Sequence, residues 1–384
     1  MPTADAVVIG AGVIGASVAY HLAARGLRTV VVERAPGPGM GSTACATGGF
    51  RAQFTTEVNV RLSLLSRAKL LAFREETGVD PGYRPCGYLF IATSPDQMEL
   101  LRAAVDVQRR AGLREVAEVC PEEIARIHPA VKLDRVTGGT FCPTDGFTKP
   151  TEILRGYLEA ARRLGVEFVY GADARCVVTD GRIAGVRTDR TTIATACVVN
   201  AAGPWAGKVA RQAGVAIPVH PVRRQVAVTH PFGGLPEHMP MTIFVEDGFH
   251  LRVRDGRVLL LWPADLPSDD PFDTTFDERW LDGVMVRART RLLCLAEAEI
   301  DLERCWAGLY EMSPDRHVIL GPAPGLAGLY LVNGSSGHGV MHAPALGQLV
   351  AEVVTDGEAT SLDIRPLRAT RFAEGDLNPE SGVL

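Results

Sequence analysis

The stretch 6–34 reads AVVIGAGVIGASVAYHLAARGLRTVVVER and predicts a strand, a glycine turn, a helix and a second strand. In such a unit Gly10 makes the tight turn, Gly12 lets the backbone approach a pyrophosphate, and Gly15 lets the helix pack close to the sheet. The pattern predicts a dinucleotide-binding site. The alternative is an ordinary βαβ unit whose glycines serve only packing.

Glu33 ends the second apolar run, about twenty residues beyond the glycine turn. A carboxylate here accepts hydrogen bonds from ribose hydroxyls and disfavours a 2′-phosphate, so FAD or NAD is expected rather than NADP. Arg34 follows it directly. The helix begins at Val13 and Ile14, whose free amides would point at the phosphates. These residues complete the nucleotide end of the predicted site.

Length and composition exclude several classes of protein. The chain has 384 residues, enough for two domains and a large core. Charged residues make up 22% and the formal net charge is -5, which argues against a nucleic-acid partner. Asp5 precedes the first apolar stretch and three glycines interrupt it, so neither a signal peptide nor a membrane span fits. The eight cysteines form no CxxC pair, so no metal site is predicted, and reduced thiols in the cytoplasm are expected.

A loop rich in glycine and small residues follows the second strand, from about residue 36 to 49. Ser42 and Thr43 offer hydroxyls and amides to a phosphate, and backbone such as that of Gly48 and Gly49 can lie flat against a planar ligand. A flexible linker would have a similar composition. Its place directly after a nucleotide fingerprint favours the binding loop.

Arg51 comes just after this loop and is the candidate anchor for a substrate carboxylate, which a guanidinium can grip with two hydrogen bonds. A structural or surface salt bridge is the alternative. Later, residues 194–207 read ATACVVNAAGPWAG, an apolar strand that ends in small residues. Such a strand end lets backbone approach a cofactor, although a tight turn alone would look the same. The cofactor-binding residues predicted from this region are Ala202, Gly203 and Trp205, and Ala174, earlier in the chain, is predicted as a further one.

The last informative stretch, 328–357, reads GLYLVNGSSGHGVMHAPALGQLVAEVVTDG and predicts a strand, a glycine turn and a helix from Val340 to Val354. The turn would present amides and a positive helix end, which under a flavin would stabilise negative charge on the reduced ring. Another crossover helix, with His338 and His342 as polar fillers, is the alternative. The cofactor-binding residues predicted here are Gly334, Ser336, Gly337, His338, Gly339, Val340 and Met341.

The middle of the chain predicts a second sheet. Hairpins are expected with Asp180-Gly181 and Asp255-Gly256 at their turns, and a strand is expected over Ile300–Glu311. Strands clustered in this way favour an antiparallel sheet built separately from the nucleotide-binding sheet.

Three separated stretches, VVIGAGVIG...VVVER, ACVVNAAGPWAG and LVNGSSGHGVMHAPALGQ, together resemble the FAD-dependent oxidoreductases of the D-amino-acid oxidase superfamily. The resemblance covers nearly the whole chain. It implies an α/β plus α+β fold, in which a glutathione-reductase-type, FAD-binding Rossmann domain is interleaved with an antiparallel-sheet substrate domain. The implied FAD-binding segments are 1–82, 145–215 and 317–384, and the implied substrate segments are 83–144 and 216–316.

Within the superfamily, WAGLYEMSPDRHVILG and SGHGVMHAPALG look like the branch of sarcosine oxidase beta subunits, proline dehydrogenase beta subunits and dimethylglycine dehydrogenases. In glycine oxidase and D-amino-acid oxidases the position of Tyr310 is typically an arginine that grips the carboxylate. Tyrosine there favours secondary or N-alkyl amino acids as substrates. The resemblance thus implies hydride transfer to flavin N5, with Arg51 as carboxylate anchor and with Tyr310 and His250 as polar walls.

Two departures from the family pattern bear on the cofactor and the electron acceptor. Monomeric sarcosine oxidase attaches FAD through a cysteine that aligns with Gly308, and the nearest thiol in sequence is Cys305, so non-covalent FAD is expected. The lysine that activates oxygen has no counterpart, because no lysine follows Lys208, and the lysine that helps to hold the carboxylate aligns with Met341. Oxygen, a quinone and a partner subunit therefore all stay candidates for the electron acceptor.

Three alternatives to this function are kept. They are a D-amino-acid or 2-hydroxy-acid dehydrogenase, a flavin subunit active only in a hetero-oligomer, and a plain NAD-binding dehydrogenase.

Overall fold

The computed structural model describes residues 2–264 and 266–379. Three parts of the chain lie outside the described residues. They are Met1 and residues 380–384, at the ends of the predicted FAD-binding segments, and Asp265, in a predicted substrate segment.

The strands are β1 (Ala6–Ile9), β2 (Thr29–Glu33), β3 (Gly49–Phe50), β4 (Tyr88–Ala92), β5 (Ala117–Val119), β6 (Gly138–Cys142), β7 (Gly146–Phe147), β8 (Glu167–Tyr170), β9 (Arg175–Thr179), β10 (Arg182–Arg187), β11 (Thr192–Ala194), β12 (Val198–Asn200), β13 (His220–Val228), β14 (Met241–Phe244), β15 (His250–Arg254), β16 (Arg257–Leu261), β17 (Trp306–Met312), β18 (Ile319–Pro322) and β19 (Leu329–Asn333). The helices are α1 (Val13–Ala24), α2 (Glu57–Thr77), α3 (Pro95–Arg110), α4 (Pro121–Ile127), α5 (Pro150–Arg163), α6 (Ala206–Gln212), α7 (Leu281–Arg291), α8 (Gly339–Asp356) and α9 (Arg371–Glu374).

The nucleotide-binding unit predicted from the glycine motif lies in a sheet of order β18-β19-β12-β1-β2-β8. Its pairs are parallel except β18 with β19. Val8 of β1 pairs with Val31 of β2 on one side and with Val199 of β12 on the other. All three side chains are buried, as expected for strands with helices or other layers on both faces.

Close helix packing covers one face of this sheet. Helix α1 lies so near α8 that a Cβ on Gly347 would come 2.2 Å from the Ser17 hydroxyl. Val18 and Leu22 of α1 pack with Leu346 in the same buried apolar cluster. The two helices whose N-termini the sequence assigns to the cofactor are thereby held as one packed layer.

A second, larger sheet has the order β17-β13-β16-β15-β14-β4-β6-β5 and is antiparallel except where β14 pairs with β4. Asp255 and Gly256 connect β15 to β16 with φ values of +55° and +70°, which confirms the predicted hairpin. Phe249 and Trp280 are among the fully buried side chains of its core.

The two sheets draw on interleaved parts of the chain, which confirms the predicted fold class. Strands of the first sheet come from 6–33, 167–200 and 319–333, and those of the second come from 88–142 and 220–312. The exact domain boundaries stay a prediction. None of the described helices combines the length and the apolar composition that a bilayer crossing requires.

The predicted strand over Ile300–Glu311 was wrong in its first half. The backbone makes a 3₁₀ turn over Leu302–Arg304, and β17 begins only at Trp306. The carboxylate of Asp301 accepts a hydrogen bond from Arg257 at 2.8 Å, and this long-range contact holds the turn at the edge of β16.

A buried ion pair fastens the C-terminal helix. Arg371 donates two hydrogen bonds to Asp315, at 2.8 and 2.9 Å, and both side chains are almost fully buried. Burial alone would raise the pKa of Asp315, but the hydrogen bonds and charge of Arg371 outweigh burial and lower it to about 2. This pair therefore stabilises the fold above the unfolded pKa of an aspartate, and its contribution disappears as the pH falls towards 2.

Replacing Arg371 by alanine should lower the free energy of unfolding by about 3–5 kcal/mol, because it leaves a buried carboxylate without its counter-ion. Urea denaturation at neutral pH measures this change. Arg365→Ala is the matched control, since its pair with Asp363 lies at the exposed surface and should contribute little. Equal effects of the two variants would contradict the assignment.

Candidate active site

A cavity of about 810 Å³ lies where the two sheets meet, and the three glycine-bearing segments predicted to converge all line it. The predicted cofactor-binding residues on its wall are Gly10, Gly12, Val13, Ile14, Glu33, Arg34, Ser42, Thr43, Gly48, Gly49, Ala174, Ala202, Gly203, Trp205, Ser336, Gly337, His338, Gly339, Val340 and Met341. The three predicted catalytic residues, Arg51, His250 and Tyr310, line the same cavity. Gly15 and Gly334 do not.

The turn between β1 and α1 is pressed against the end of β12. Gly10 has φ +108°, and a Cβ there would come 2.5 Å from the carbonyl oxygen of Ala201. The Glu33 carboxylate accepts the backbone amide of Ala11 at 2.7 Å with one oxygen and that of Ala35 at 2.8 Å with the other. Each oxygen keeps a lone pair for a ribose hydroxyl, so Glu33 both fixes the turn and suits the predicted role.

The two glycines that do not reach the cavity act through packing. A Cβ on Gly15 would come 1.9 Å from the carbonyl oxygen of Gly10, so Gly15 permits the close approach of helix and turn. Gly334 has φ +74° and a Cβ there would come 3.0 Å from that of Ser313. They shape the backbone that borders the cavity.

The hydroxyls of the small-residue loop are already engaged. The Thr43 hydroxyl accepts the backbone amide of Val13 at 3.1 Å, at the start of α1. The Ser42 hydroxyl donates to the carbonyl of Leu309 at 2.6 Å and so ties the loop to β17. Ser42 could therefore offer a phosphate its backbone amide more readily than its hydroxyl.

Three residues of the cavity wall, Arg34, Trp205 and Lys208, form a stack together with Phe272. The Arg34 guanidinium lies 3.7 Å from the ring centre of Trp205. Trp205 also stacks with the ring of Phe272, with 5.4 Å between the ring centroids and 13° between the ring planes. The ammonium of Lys208 lies 4.8 Å from the Phe272 ring. These contacts are favourable because aromatic faces attract cations.

Arg51 is buried, with 5% of its surface exposed, at the part of the wall shared with the glycine turn before α8. Its Nη1 donates to the carbonyl of Gln53 at 3.1 Å, and its Nη2 lies 3.1 Å from Nε2 of His338. The guanidinium also lies 4.3 Å from the ring centre of Phe54. The Asp145 carboxylate accepts the amide of Ala52, which fixes the next residue in the chain.

His250 presents a hydrogen-bond acceptor in this region. Its Nδ1 lies 2.8 Å from the carbonyl of Gly248, and since a carbonyl can only accept, Nδ1 carries the proton and Nε2 carries a lone pair. Burial lowers the pKa of His250 to about 4, with a further contribution from the charge of Arg51. The imidazole is therefore neutral at physiological pH.

Tyr310 packs directly against the glycine turn. A Cβ on Gly337 would come 2.4 Å from the Tyr310 ring. Burial raises the pKa of the phenol, although Arg224 and Arg51 lower it in part. Tyr310 thus offers a protonated hydroxyl at neutral pH.

In space the Cys45 side chain lies beside Gly308, although Cys305 is the nearer thiol in sequence. A Cβ on Gly308 would come 2.6 Å from that of Cys45. Cys305 instead receives the backbone amide of Val228 on its sulfur at 3.4 Å. Burial raises the pKa of the Cys45 thiol, so it stays protonated.

Two cavity residues, Glu311 and Ser335, were not predicted as site residues from the sequence. One carboxyl oxygen of Glu311 accepts the amide of Ser335 at 3.2 Å, but its Oε2 and the Ser335 hydroxyl are buried with no hydrogen-bond partner among the described residues. Burial raises the pKa of Glu311 to about 7. Orphaned polar atoms in a cavity wall call for polar groups on a ligand, and FAD offers hydroxyls and a ring N–H. The residues present fit FAD.

A pair of glycine variants separates cofactor contact from packing. Gly12→Ala should leave the fold intact, because its Cβ would meet only the Thr43 hydroxyl at 3.4 Å, yet it should weaken FAD binding about tenfold or more where the backbone approaches the pyrophosphate. Gly15→Ala should instead destabilise the fold by about 1–3 kcal/mol through overpacking. Flavin fluorescence titration and urea denaturation measure the two effects, and the reverse pattern would contradict both assignments.

Glu311→Gln should change how stability depends on pH. Wild-type Glu311 holds its proton to about pH 7 when folded but to about pH 4.5 when unfolded, so the folded state loses stability as the pH rises through this window. The variant should remove this loss, of up to about 3 kcal/mol. Urea denaturation of the cofactor-free protein between pH 4.5 and 8 provides the comparison. Parallel curves for wild type and variant would exclude a titrating Glu311.

Comparison with known proteins agrees with this geometry. Residues 5–353 match the family model DAO, described as FAD dependent oxidoreductase. The chain is 28% identical to FAD-dependent oxidoreductase domain-containing protein 1 of Bos taurus, over 99% of this chain and 87% of that protein. It is 27% identical to glycine oxidase of Geobacillus kaustophilus, over 96% of this chain and 97% of that protein. The crystal structure of L-proline dehydrogenase from P. horikoshii superposes with a TM-score of 0.91 at 29% identity, covering 98% of this chain and 100% of that one. The chain belongs to the DAO family of FAD-dependent oxidoreductases.

Proposed function

We propose that this protein oxidises the C–N bond of a secondary or N-alkyl amino acid, such as a sarcosine-, proline- or dimethylglycine-like compound. The observation that carries the proposal is the buried guanidinium of Arg51 on the cavity wall, close to His338 of the glycine turn. Bound FAD would supply the hydride acceptor, its N5. The imine product would hydrolyse in water.

Arg51 is suited to anchor the substrate carboxylate. Its guanidinium keeps a fixed orientation through the Gln53 carbonyl and the Phe54 ring, so little side-chain freedom is lost when a carboxylate binds. A charge-assisted, two-pronged contact in a buried cavity would orient the rest of the substrate towards the glycine turn.

His250 and Tyr310 would position the amine end. Nε2 of the neutral His250 can accept an amine N–H, which favours the unprotonated amine that hydride loss requires. The remaining wall here is mostly apolar and excludes water, which strengthens the polar contacts. Its members include Tyr88, Met241, Ile243, Val245 and Leu261.

The similar proteins support amino acid oxidation but leave the substrate within that class to this proposal. Two of them are named for L-proline and for glycine, a secondary and a primary amine, and both are less than 30% identical to this chain. The tyrosine at position 310 supports the secondary amine. A D-amino-acid or 2-hydroxy-acid dehydrogenase is the alternative, as is a flavin subunit active only in a hetero-oligomer. Oxygen, a quinone and a partner subunit are the candidate acceptors.

Anaerobic reduction of the purified flavoprotein by a panel of amines tests the substrate class. Sarcosine, proline or a related N-alkyl amino acid should bleach the flavin absorbance. Bleaching by primary D-amino acids or 2-hydroxy acids alone would overturn the assignment. Turnover of the isolated chain with an artificial dye would exclude a strict requirement for a partner subunit, and flavin without turnover on any amine would support one.

Arg51→Ala should weaken apparent substrate affinity by about 2–4 kcal/mol, because it removes a buried partner of the carboxylate. The steady-state kcat/KM with the best amine of the panel measures this change. Arg61→Ala, at an exposed position of α2 in a surface pair with Glu57, is the control and should behave as wild type. Unchanged kinetics for Arg51→Ala would remove it from the site.

A further inference from the structure

His338 lies in the glycine turn before α8, where its backbone borders the predicted flavin position, but its side chain reaches towards the substrate region. Nε2 of His338 lies 3.1 Å from Nη2 of Arg51. Its backbone amide donates to the carbonyl of Ser335 at 2.9 Å, within the same turn. One residue therefore contacts both the cofactor turn and the candidate carboxylate anchor.

We infer that His338 is a positioning residue, which accepts a hydrogen bond from Arg51 and so holds the guanidinium where the substrate carboxylate binds, in register with the flavin-binding turn. The inference rests on the proposed function, because it takes Arg51 as the carboxylate anchor. It adds a role for the His338 side chain that differs from contact with the cofactor.

The direction of the hydrogen bond follows from the chemistry of the two groups. A guanidinium has only donors, so Nε2 of His338 must be the acceptor and the ring proton must be on Nδ1. A protonated imidazole could not accept and would repel Arg51. Burial is the main reason that His338 stays neutral, and the charge of Arg51 together with neighbouring His342 and His317 acts in the same direction.

Packing leaves the Arg51 guanidinium few other orientations. The Phe54 ring meets the His338 ring edge to face, with 4.8 Å between centroids and 85° between planes. The same Phe54 ring lies 4.3 Å from the guanidinium carbon. Three contacts therefore hold the guanidinium: the Gln53 carbonyl at Nη1, the Phe54 ring against its face and His338 at Nη2. Loss of the His338 contact removes this hydrogen bond at Nη2.

The experiment uses the FAD-loaded protein and pyrrole-2-carboxylate, a flat carboxylate that cannot be oxidised as an amine substrate, as the probe. Its binding is followed by the change in flavin absorbance. Wild type, Arg51→Ala, His338→Phe and His338→Gln are compared, with His342→Gln as the matched control. His342 is a buried histidine one helical turn further along, and its Nε2 lies 2.8 Å from the Ser63 hydroxyl.

His338→Phe, which keeps a flat ring but loses the acceptor, should raise the probe Kd about tenfold or more and raise KM in parallel, with kcat changed less than about threefold. His338→Gln, which offers a carbonyl oxygen to the guanidinium, should recover most of the affinity. His342→Gln should bind the probe as wild type. In the Arg51→Ala background, His338→Phe should have no further effect, because it acts through Arg51.

Wild-type probe affinity in His338→Phe, or additive losses in the double variant, would overturn the inference while leaving the proposed function intact. Loss of flavin from His338→Phe, with normal probe affinity in the fraction that retains flavin, would also overturn it and would make the side chain a cofactor contact. If wild type binds the probe and Arg51→Ala binds it equally well, the proposed anchor itself fails. His338→Asn, whose side chain is too short to reach Arg51, provides a second loss variant should the phenylalanine disturb folding.

Discussion

The structure depends on one close contact, that of the β1–α1 turn with the end of β12. No side chain fits at Gly10, where a Cβ would collide with the Ala201 carbonyl, or at Gly15, where it would collide with Gly10 itself. Because both positions lack a side chain, the turn, the start of α1 and the small-residue strand end meet at one point. Glu33 then fixes the turn through the backbone amide of Ala11. The glycine turn before α8 reaches the same cavity because α8 packs tightly on α1.

The buried titratable side chains on the wall of this cavity are either uncharged or, like Arg51, charged and held in a fixed orientation. His250 is neutral, Tyr310 keeps its proton, and burial raises the pKa of Glu311 towards neutrality. Arg51 contributes a permanent positive charge that burial does not remove. A cavity of this kind favours a ligand with one anionic group and a neutral amine. It disfavours a ligand with further charged groups, because these would lose their hydration without gaining an ion-pair partner in the cavity.

Sequence predicts the local features well because their causes are local. The Asp-Gly turns, the glycine turn after β1 and after β19, and the acid at the end of β2 are marked by residues that few others can replace. The extent of β17 was not predictable in this way, since its start depends on an ion pair between Asp301 and Arg257. The same holds for the site. Cys45 meets the strand at Ala307 across 262 positions of sequence, and Glu311 appears as one acid in an apolar strand until its partner, Ser335, is in place. Periodicity gives no information about such distant neighbours.

The stack of Arg34, Trp205, Phe272 and Lys208 has a mechanical consequence. Trp205 follows β12 of the first sheet, whereas Phe272 belongs to the segment after β16 of the second, so the paired rings bridge the two sheets at the cavity wall. Hinge opening between the sheets would have to separate these rings and move the Lys208 ammonium away from the Phe272 ring. The contact between Trp205 and Phe272 therefore opposes separation of the two sheets on this side of the cavity.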